Sequence, residues 1–448
     1  MKTYNSSLRL LAVAALVCVT TAAAQNPLIM DQFTADPTAR VFEGKMYVYP
    51  SHDILAAPGR GRVGWFCMAD YHVFSSDNLT DWKDHGVIVS QQNVPWVDST
   101  SYSMWAPDCV YKDGKYYFYF PAGAMDKGKR RGMSIGVAVS DTPYGPFTPE
   151  AKPIEGVTGI DPNVLIDKDG QAYMYWAARG IAVAKLKPNM RELASAPLQL
   201  EGLPGGFKEG PFPFERNGIY YLTFPNVIDS TESLVYCTSK DPMGPFTYGG
   251  VLMDKWPNGC WTNHQSVVEY QGQWYLFYHH NDLSPNFDKA RSIRADSLFF
   301  NPDGSIKKVI PTWRGVGRSD ARKKIQIDRY SDISNEGVAV SFLTPENPHE
   351  GWKIGLSKKN AWVKYNSVDF GATPVKSIEV QSSSATGGAI EIRLDALDGP
   401  VLARVDIAKT PLWDTAKAQV STIPTGVHNL VVVQKDPGAV ELDWITFK

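Results

Sequence analysis

The chain has 448 residues, of which 43% are hydrophobic, 21% charged and 12% aromatic. Such a composition excludes a disordered chain, and 45 Lys+Arg against 47 Asp+Glu leaves a net charge of −2 with no basic surplus to attract nucleic acid. At roughly 100–200 residues per domain the length fits two or three domains, and the 13 Trp, 21 Tyr and 19 Phe suit short strands and the stacking of flat rings on sugars.

Residues 1–24 read as a signal for export to the periplasm or beyond. Lys2 and Arg9 give the positive start, Leu10 to Val19 the apolar stretch, and Ala22 to Ala24 the small-residue cleavage site before Gln25. Val17 before Cys18 argues against a lipoprotein, and the apolar run is shorter than the ~20 residues a span requires. No membrane span is expected elsewhere. The remaining Cys67, Cys109, Cys237 and Cys260 permit two bridges, but a domain of this size does not need them, so four buried thiols are expected.

From residue 25 to 318 one pattern recurs: Gly, two residues, Tyr, then an alternating aromatic or apolar run. It starts at Gly44, Gly114, Gly170, Gly218 and Gly272, at intervals of roughly 50–70 residues, the length of a four-stranded propeller blade. Asp113-Gly114, Asp169-Gly170 and Asn217-Gly218 are tight-turn signals. Five hairpins at this period predict a five-bladed β-propeller. Counting back from each glycine, the opening strands begin at Asp36-Pro37, Asp108, Asp161-Pro162, Glu209-Gly210-Pro211 and His264. Equivalent positions of inner strands converge at one end of a propeller's tunnel, so the repeat predicts a crowded acidic cluster. Like charges there raise one another's pKa, which lets one carboxyl stay protonated while another stays ionised. A single Asp-Pro only starts a strand or turn, the reading given to Asp241-Pro242; three carboxylates at matching offsets point to chemistry.

Asp36-Pro37, Trp105 to Asp108, Gly159 to Asn163, Glu209 to Pro211 and His264 to Ser266, followed by Arg291-Ser292, Phe300 to Gly304 and Pro311 to Gly315, resemble glycoside hydrolase family 43. The resemblance implies an inverting hydrolase that removes α-L-arabinofuranosyl or β-D-xylosyl units from plant cell-wall polysaccharides or oligosaccharides and requires no organic cofactor. It makes Asp36 the general base, Glu209 the general acid and Asp161 the carboxylate that holds the acid and raises its pKa. Inversion needs acid and base about 6.5–9.5 Å apart, with a water between base and sugar. His264 resembles an axial histidine that holds calcium through water in some members, and Arg291 an arginine that touches the third carboxylate and the substrate. Trp105 is expected as a wall of the sugar pocket, Asp53 as a partner of a sugar hydroxyl, and Asp108 as a structural turn residue. Fructan-cleaving relatives of the same shape carry Arg-Asp-Pro, which this chain lacks. The alternatives are the same fold acting on a β-galactoside or galactofuranoside, and a non-catalytic sugar-binding propeller.

A linker is expected at 319–324, followed by a β-sandwich of jelly-roll type at 325–448, where alternating strands and turn residues dominate. Trp362 to Tyr365, Val368 to Gly371, Ile392 to Asp395, Gly426 to His428 and Leu442 to Trp444 resemble carbohydrate-binding module family 6. The resemblance makes Trp413 the stacking tryptophan and Gln326, Asp328 and Asp443 a structural calcium site. Two positions depart from it: Glu441 stands where a sugar-binding Asn is usual, and Gln326 and Asp328 replace two glutamates.

Overall fold

The computed structural model describes residues 26–448 apart from 127–128, 208, 256–259, 282, 285, 313–314, 318, 328–329, 344–351 and 422–423. The export signal and Asp328 therefore lie outside the described residues. Among the described residues every regular element is a strand.

Five antiparallel sheets follow one another along the first two thirds of the chain, each a simple meander. The first contains Phe33–Phe42, Lys45–Asp53, Asp70–Ser76 and Lys83–Ser90, and the second opens with Asp108–Lys112. The third opens with Ile160–Ile166 and the fourth with Phe212–Arg216. The fifth has three described strands, Ser266–Tyr270, Gln273–His280 and Ser292–Leu298. In four of the five, the repeating glycine closes the first hairpin as the second of two residues at positive φ: Glu43-Gly44, Asp113-Gly114, Asn217-Gly218 and Gln271-Gly272. Two such residues make the turn whose twist matches the flanking strands. Asp169-Gly170 departs, because only Gly170 has positive φ and residues 167–171 form a wider loop closed by Gly170 N–H to the Asp167 carbonyl.

Among the described residues, no hydrogen-bond ladder joins these sheets. Their opening strands instead lie against one another in cyclic order, and the fifth returns to the first. The alternation of side chains along each strand explains this packing, since successive residues face opposite neighbours. Phe118 and Phe120 pack with Tyr49 and Tyr71 of the first sheet, whereas Tyr117 and Tyr119 pack with Met174 and Trp176 of the third. Three further cores fill the gaps from third sheet to fourth, fourth to fifth, and fifth back to first.

The four described cysteines are buried and none is in a disulfide. Asp108 is also buried, but as a cross-brace rather than a turn residue. It accepts Arg40 from the first sheet at 2.8 Å and the Val164 N–H of the third at 2.7 Å.

The remaining chain forms two six-stranded sheets around one apolar core that includes Ile354, Val363, Ile390, Leu430 and Ile445. The stretch 319–324 is not a free linker. Ser319–Asp320 pairs in parallel with Val368 and Asp369, and Ala321 is part of the sandwich core.

Candidate active site

The sequence pattern Asp-Pro puts an unusual backbone at the start of two inner strands. Asp36 and Asp161 both adopt positive φ, 47° and 55°, and both lie where the strand pairing slips register. Proline has no N–H for the ladder, so a bulge belongs there, and the bulge turns the carboxylate toward the centre of the ring. Asp tolerates this conformation better than most residues. In the fourth sheet the residue before proline is Gly210, with φ 66°, so Glu209 sits one position earlier than the other two acids. A Cβ on Gly210 would stand 2.8 Å from Pro225 Cδ and 3.3 Å from His264 Cε1. Gly210→Ala is therefore expected to destabilise the fold by about 1–3 kcal/mol and to lower kcat, as read by thermal melts and kinetics.

The three acids line one cavity of about 150 Å³, together with Trp65, Phe66, Met68, Trp105, Ala106, Ile160, Trp261, His264 and Arg291. Larger depressions elsewhere on the surface lack this set of acids. The cavity holds its carboxylates in opposite electrostatic settings. Asp36 accepts Arg291 Nη1 on Oδ1 at 2.8 Å and Ser51 Oγ on Oδ2 at 2.7 Å. Burial alone would raise its pKa, but Arg291, with His279 and His264 behind it, outweighs burial and holds Asp36 down at about 2. Among the described residues Asp161 accepts the Gly210 N–H, at 2.9 Å, and burial followed by the charge of Glu209 pushes it well above the usual carboxylate range. Asp36 is thus ionised at neutral pH, while burial and the charge of Glu209 favour the protonated form of Asp161.

Several residues that sequence reasoning did not single out complete the site. His279, fully buried, accepts the Asp36 N–H on Nδ1 at 3.0 Å, which leaves its Nε2–H to donate to the Thr262 carbonyl at 3.2 Å. Burial and the adjacent Arg291 keep it neutral, its pKa lowered to about 3. Glu232 is a fourth carboxylate, held by the Asn263 N–H at 2.7 Å. Burial and then Glu209 push it up to about 8 from an ordinary 4.5. Its protonated form therefore stabilises the fold fully below the ordinary value, and that contribution is lost as pH rises through about 8. Glu232→Gln is expected to show a smaller fall in melting temperature than the wild type between about pH 6 and pH 9.

Arg291 and Asp53 differ from expectation. Arg291 does not reach the third carboxylate. It donates to Asp53 through Nε and Nη2 at 2.9 Å each and, through Nη1, to Asp36, while its guanidinium covers the Phe66 ring at 4.8 Å. Asp53 is 2% exposed and both its oxygens face Arg291, so no sugar hydroxyl reaches it. Its part is to fix the arginine that fixes Asp36. His264 lines the cavity with Nδ1 3.7 Å from Asp36, beyond a hydrogen bond, and burial lowers its pKa to about 4. Trp105 is in the wall, where Trp65 and Trp261 add two half-exposed rings.

In the sandwich, Trp413 is half-buried on Thr410–Gln419, beside the exposed Leu412. Gln326 pairs with Trp444, and the Asp443 carbonyl accepts the Ile327 N–H at 2.8 Å. Glu441 is engaged by Lys353 at 2.8 Å and Ser383 at 3.2 Å.

Known proteins resemble both parts of this chain. The model of glycosyl hydrolases family 43 matches residues 24–306, and that of carbohydrate binding module family 6 matches 334–448. A xylosidase/arabinosidase 43A of Humicola insolens is 39% identical over 62% of this chain and 98% of its own. An arabinoxylan arabinofuranohydrolase of Bacillus subtilis is 28% identical over 93% of this chain and 90% of its own. The crystal structure of a B. subtilis arabinoxylan arabinofuranohydrolase in complex with cellotetraose superposes with a TM-score of 0.57 at 26% identity, covering 96% of this chain and 99% of that one. A β-xylosidase/α-arabinofuranosidase from a compost metagenome, solved with xylotriose in a calcium-free form, gives 0.57 at 36% identity over 64% and 98%. With the family model spanning all five sheets and the acid cavity at their centre, the chain belongs to glycosyl hydrolases family 43 and is a glycosidase with a family 6 carbohydrate-binding module behind it.

Proposed function

We propose that the five sheets are the blades of a closed propeller and that the cavity at their hub removes single α-L-arabinofuranosyl or β-D-xylosyl units with inversion, from plant cell-wall polysaccharide or its fragments. The observation that carries this reading is the electrostatic division of one cavity: Arg291 holds Asp36 low, while burial and the charge of Glu209 push Asp161 well above the usual carboxylate range. Asp36 takes the proton of the attacking water, Glu209 gives its proton to the leaving oxygen, and Asp161 keeps that proton in place. Ser51 and Arg291 fix the two oxygens of Asp36, so its lone pairs are aimed before substrate arrives. The cavity, about 150 Å³, is well below the size of drug-sized sites and suits one sugar unit. Trp65, Trp105 and Trp261 offer flat faces to that unit.

Calcium finds suitable donors beside His264. Glu232 Oε1 and Gln265 Oε1 are buried oxygens with no hydrogen-bond partner among the described residues, and Glu232 is tied to Asn263, the neighbour of His264. Hard oxygens of this kind suit calcium, which when bound supplies positive charge close to the acids. Residues 1–24 are proposed to direct export, and Trp413 to give the sandwich a stacking surface for polysaccharide.

The test is hydrolysis of aryl α-L-arabinofuranoside, β-D-xyloside and β-D-galactoside by the wild type and by Glu209→Ala. Activity on a pentoside is expected, with a loss of about 10²–10⁴-fold in the variant. The loss should be smaller for a dinitrophenyl leaving group, which needs no proton. Equal rates in both proteins would remove Glu209 from the acid role.

A further inference from the structure

The first sheet carries a second constellation, away from the sugar cavity. Among the described residues, His52, Asp70 and His72 bring one ligand atom each to within 4.8 Å of one another. His52 stands near the end of Lys45–Asp53, while Asp70 and His72 open the neighbouring strand Asp70–Ser76, two residues apart and so on one face. The imidazoles lie 4.8 Å apart at 67°, and His52 Nδ1 is 2.6 Å from Asp70 Oδ1. All three side chains are partly open to solvent, at 19%, 23% and 15% exposure, so an ion has a path in.

The surroundings prepare one of these imidazoles as a ligand. Asp84 takes His72 Nδ1 on both its oxygens, at 3.0 Å each, and is itself held by the Gly86 N–H at 2.7 Å and Gln32 Nε2 at 3.1 Å. A carboxylate on one nitrogen of a histidine fixes the ring and makes the other nitrogen more basic, the arrangement usual behind metal-bound histidines. For His72 the remaining nitrogen is Nε2.

We propose that His52, Asp70 and His72 form a site for a divalent transition metal, zinc in the first instance. Two imidazoles and one carboxylate suit zinc, copper or nickel and do not suit calcium or magnesium, which take oxygen donors. Three protein ligands leave the fourth tetrahedral position to water. On binding, the ion takes the place of the hydrogen between His52 Nδ1 and Asp70 Oδ1, and the neutral imidazole carries its one N–H on Nε2 instead. The two atoms then spread from 2.6 Å to roughly 3.3 Å, as ligand distances near 2.1 Å at a tetrahedral angle require, a movement that two partly exposed side chains allow.

The experiment is calorimetric titration of zinc chloride, at about pH 7.5, into the full chain after treatment with a chelator. The comparison set is His52→Ala, His72→Ala, Asp84→Asn and His264→Ala, each checked for fold by circular dichroism. The wild type is expected to take up zinc saturably at one strong site per chain. His52→Ala and His72→Ala should weaken that site by at least about a hundredfold, and Asp84→Asn by about ten- to a hundredfold, while His264→Ala retains it. Absence of saturable binding in the wild type would overturn the proposal. So would unchanged affinity in both His52→Ala and His72→Ala, or loss only in His264→Ala, which would put the ion in the sugar cavity.

Discussion

Asp36→Asn is expected to lower kcat by about 10²–10⁴-fold on every glycoside the enzyme accepts, with KM nearly unchanged. A base that activates water acts only on the way to the transition state, so its loss does not discriminate among leaving groups as loss of the acid does. Asparagine is the right replacement. Like aspartate it tolerates the positive φ of 47° at this position, and it keeps one oxygen for Arg291 while its NH2 donates to the Ser51 hydroxyl, which accepts as well as donates. The fold should therefore survive, and near-wild-type thermal melts beside the lost rate would separate chemistry from structure. A rate within about threefold of wild type would remove Asp36 from the base role.

Arg291→Met is expected to cost about 3–5 kcal/mol of stability and nearly all activity. The guanidinium is 4% exposed and sits between Asp36 and Asp53, which are 8% and 0% exposed, so its removal leaves two buried carboxylates uncompensated. The sign of the pH dependence follows. Asp36 is held at about 2 against an ordinary 3.8, so it contributes stability that is present above the ordinary value and lost as pH falls through about 2. Without Arg291 burial dominates, the Asp36 pKa rises, and the acid limb of kcat/KM moves to higher pH. Arg291→Lys should recover part of the stability but not the rate, because one ammonium cannot meet Asp53 with two bonds and Asp36 with a third. Denaturant melts and a pH–rate profile of the surviving activity read both effects.

The repeat was readable because each sheet restates it in local terms. A glycine at positive φ and an alternating aromatic run are demands made within ten residues, and they appear in the chain five times. Asp36 and Asp161 were readable for the same reason, since each stands at a matching offset before its repeating glycine. The partners of those acids were not. Arg291 meets Asp53 across 238 residues and Asp36 across 255, and no local rule says which carboxylates an arginine will find. Nor does the repeat mark Glu232, which begins the third strand of its sheet rather than the first, or His279, which lies at the far end of a second strand. The stretch 319–324 read as a linker because Arg314 to Lys324 is basic and contains glycine, yet two of its residues pair with the sandwich, a contact set by strand Trp362–Asp369 further along the chain.

The reaction proposed is a single displacement by water, with Asp36 and Glu209 on opposite sides of the sugar. Proton NMR of the first sugar released, recorded before mutarotation, tests it most directly. The expected product is the inverted anomer, α-xylose from a β-xyloside or β-arabinofuranose from an α-L-arabinofuranoside. Release of the anomer with the substrate's own configuration would mean a covalent intermediate and would contradict the roles given to both residues.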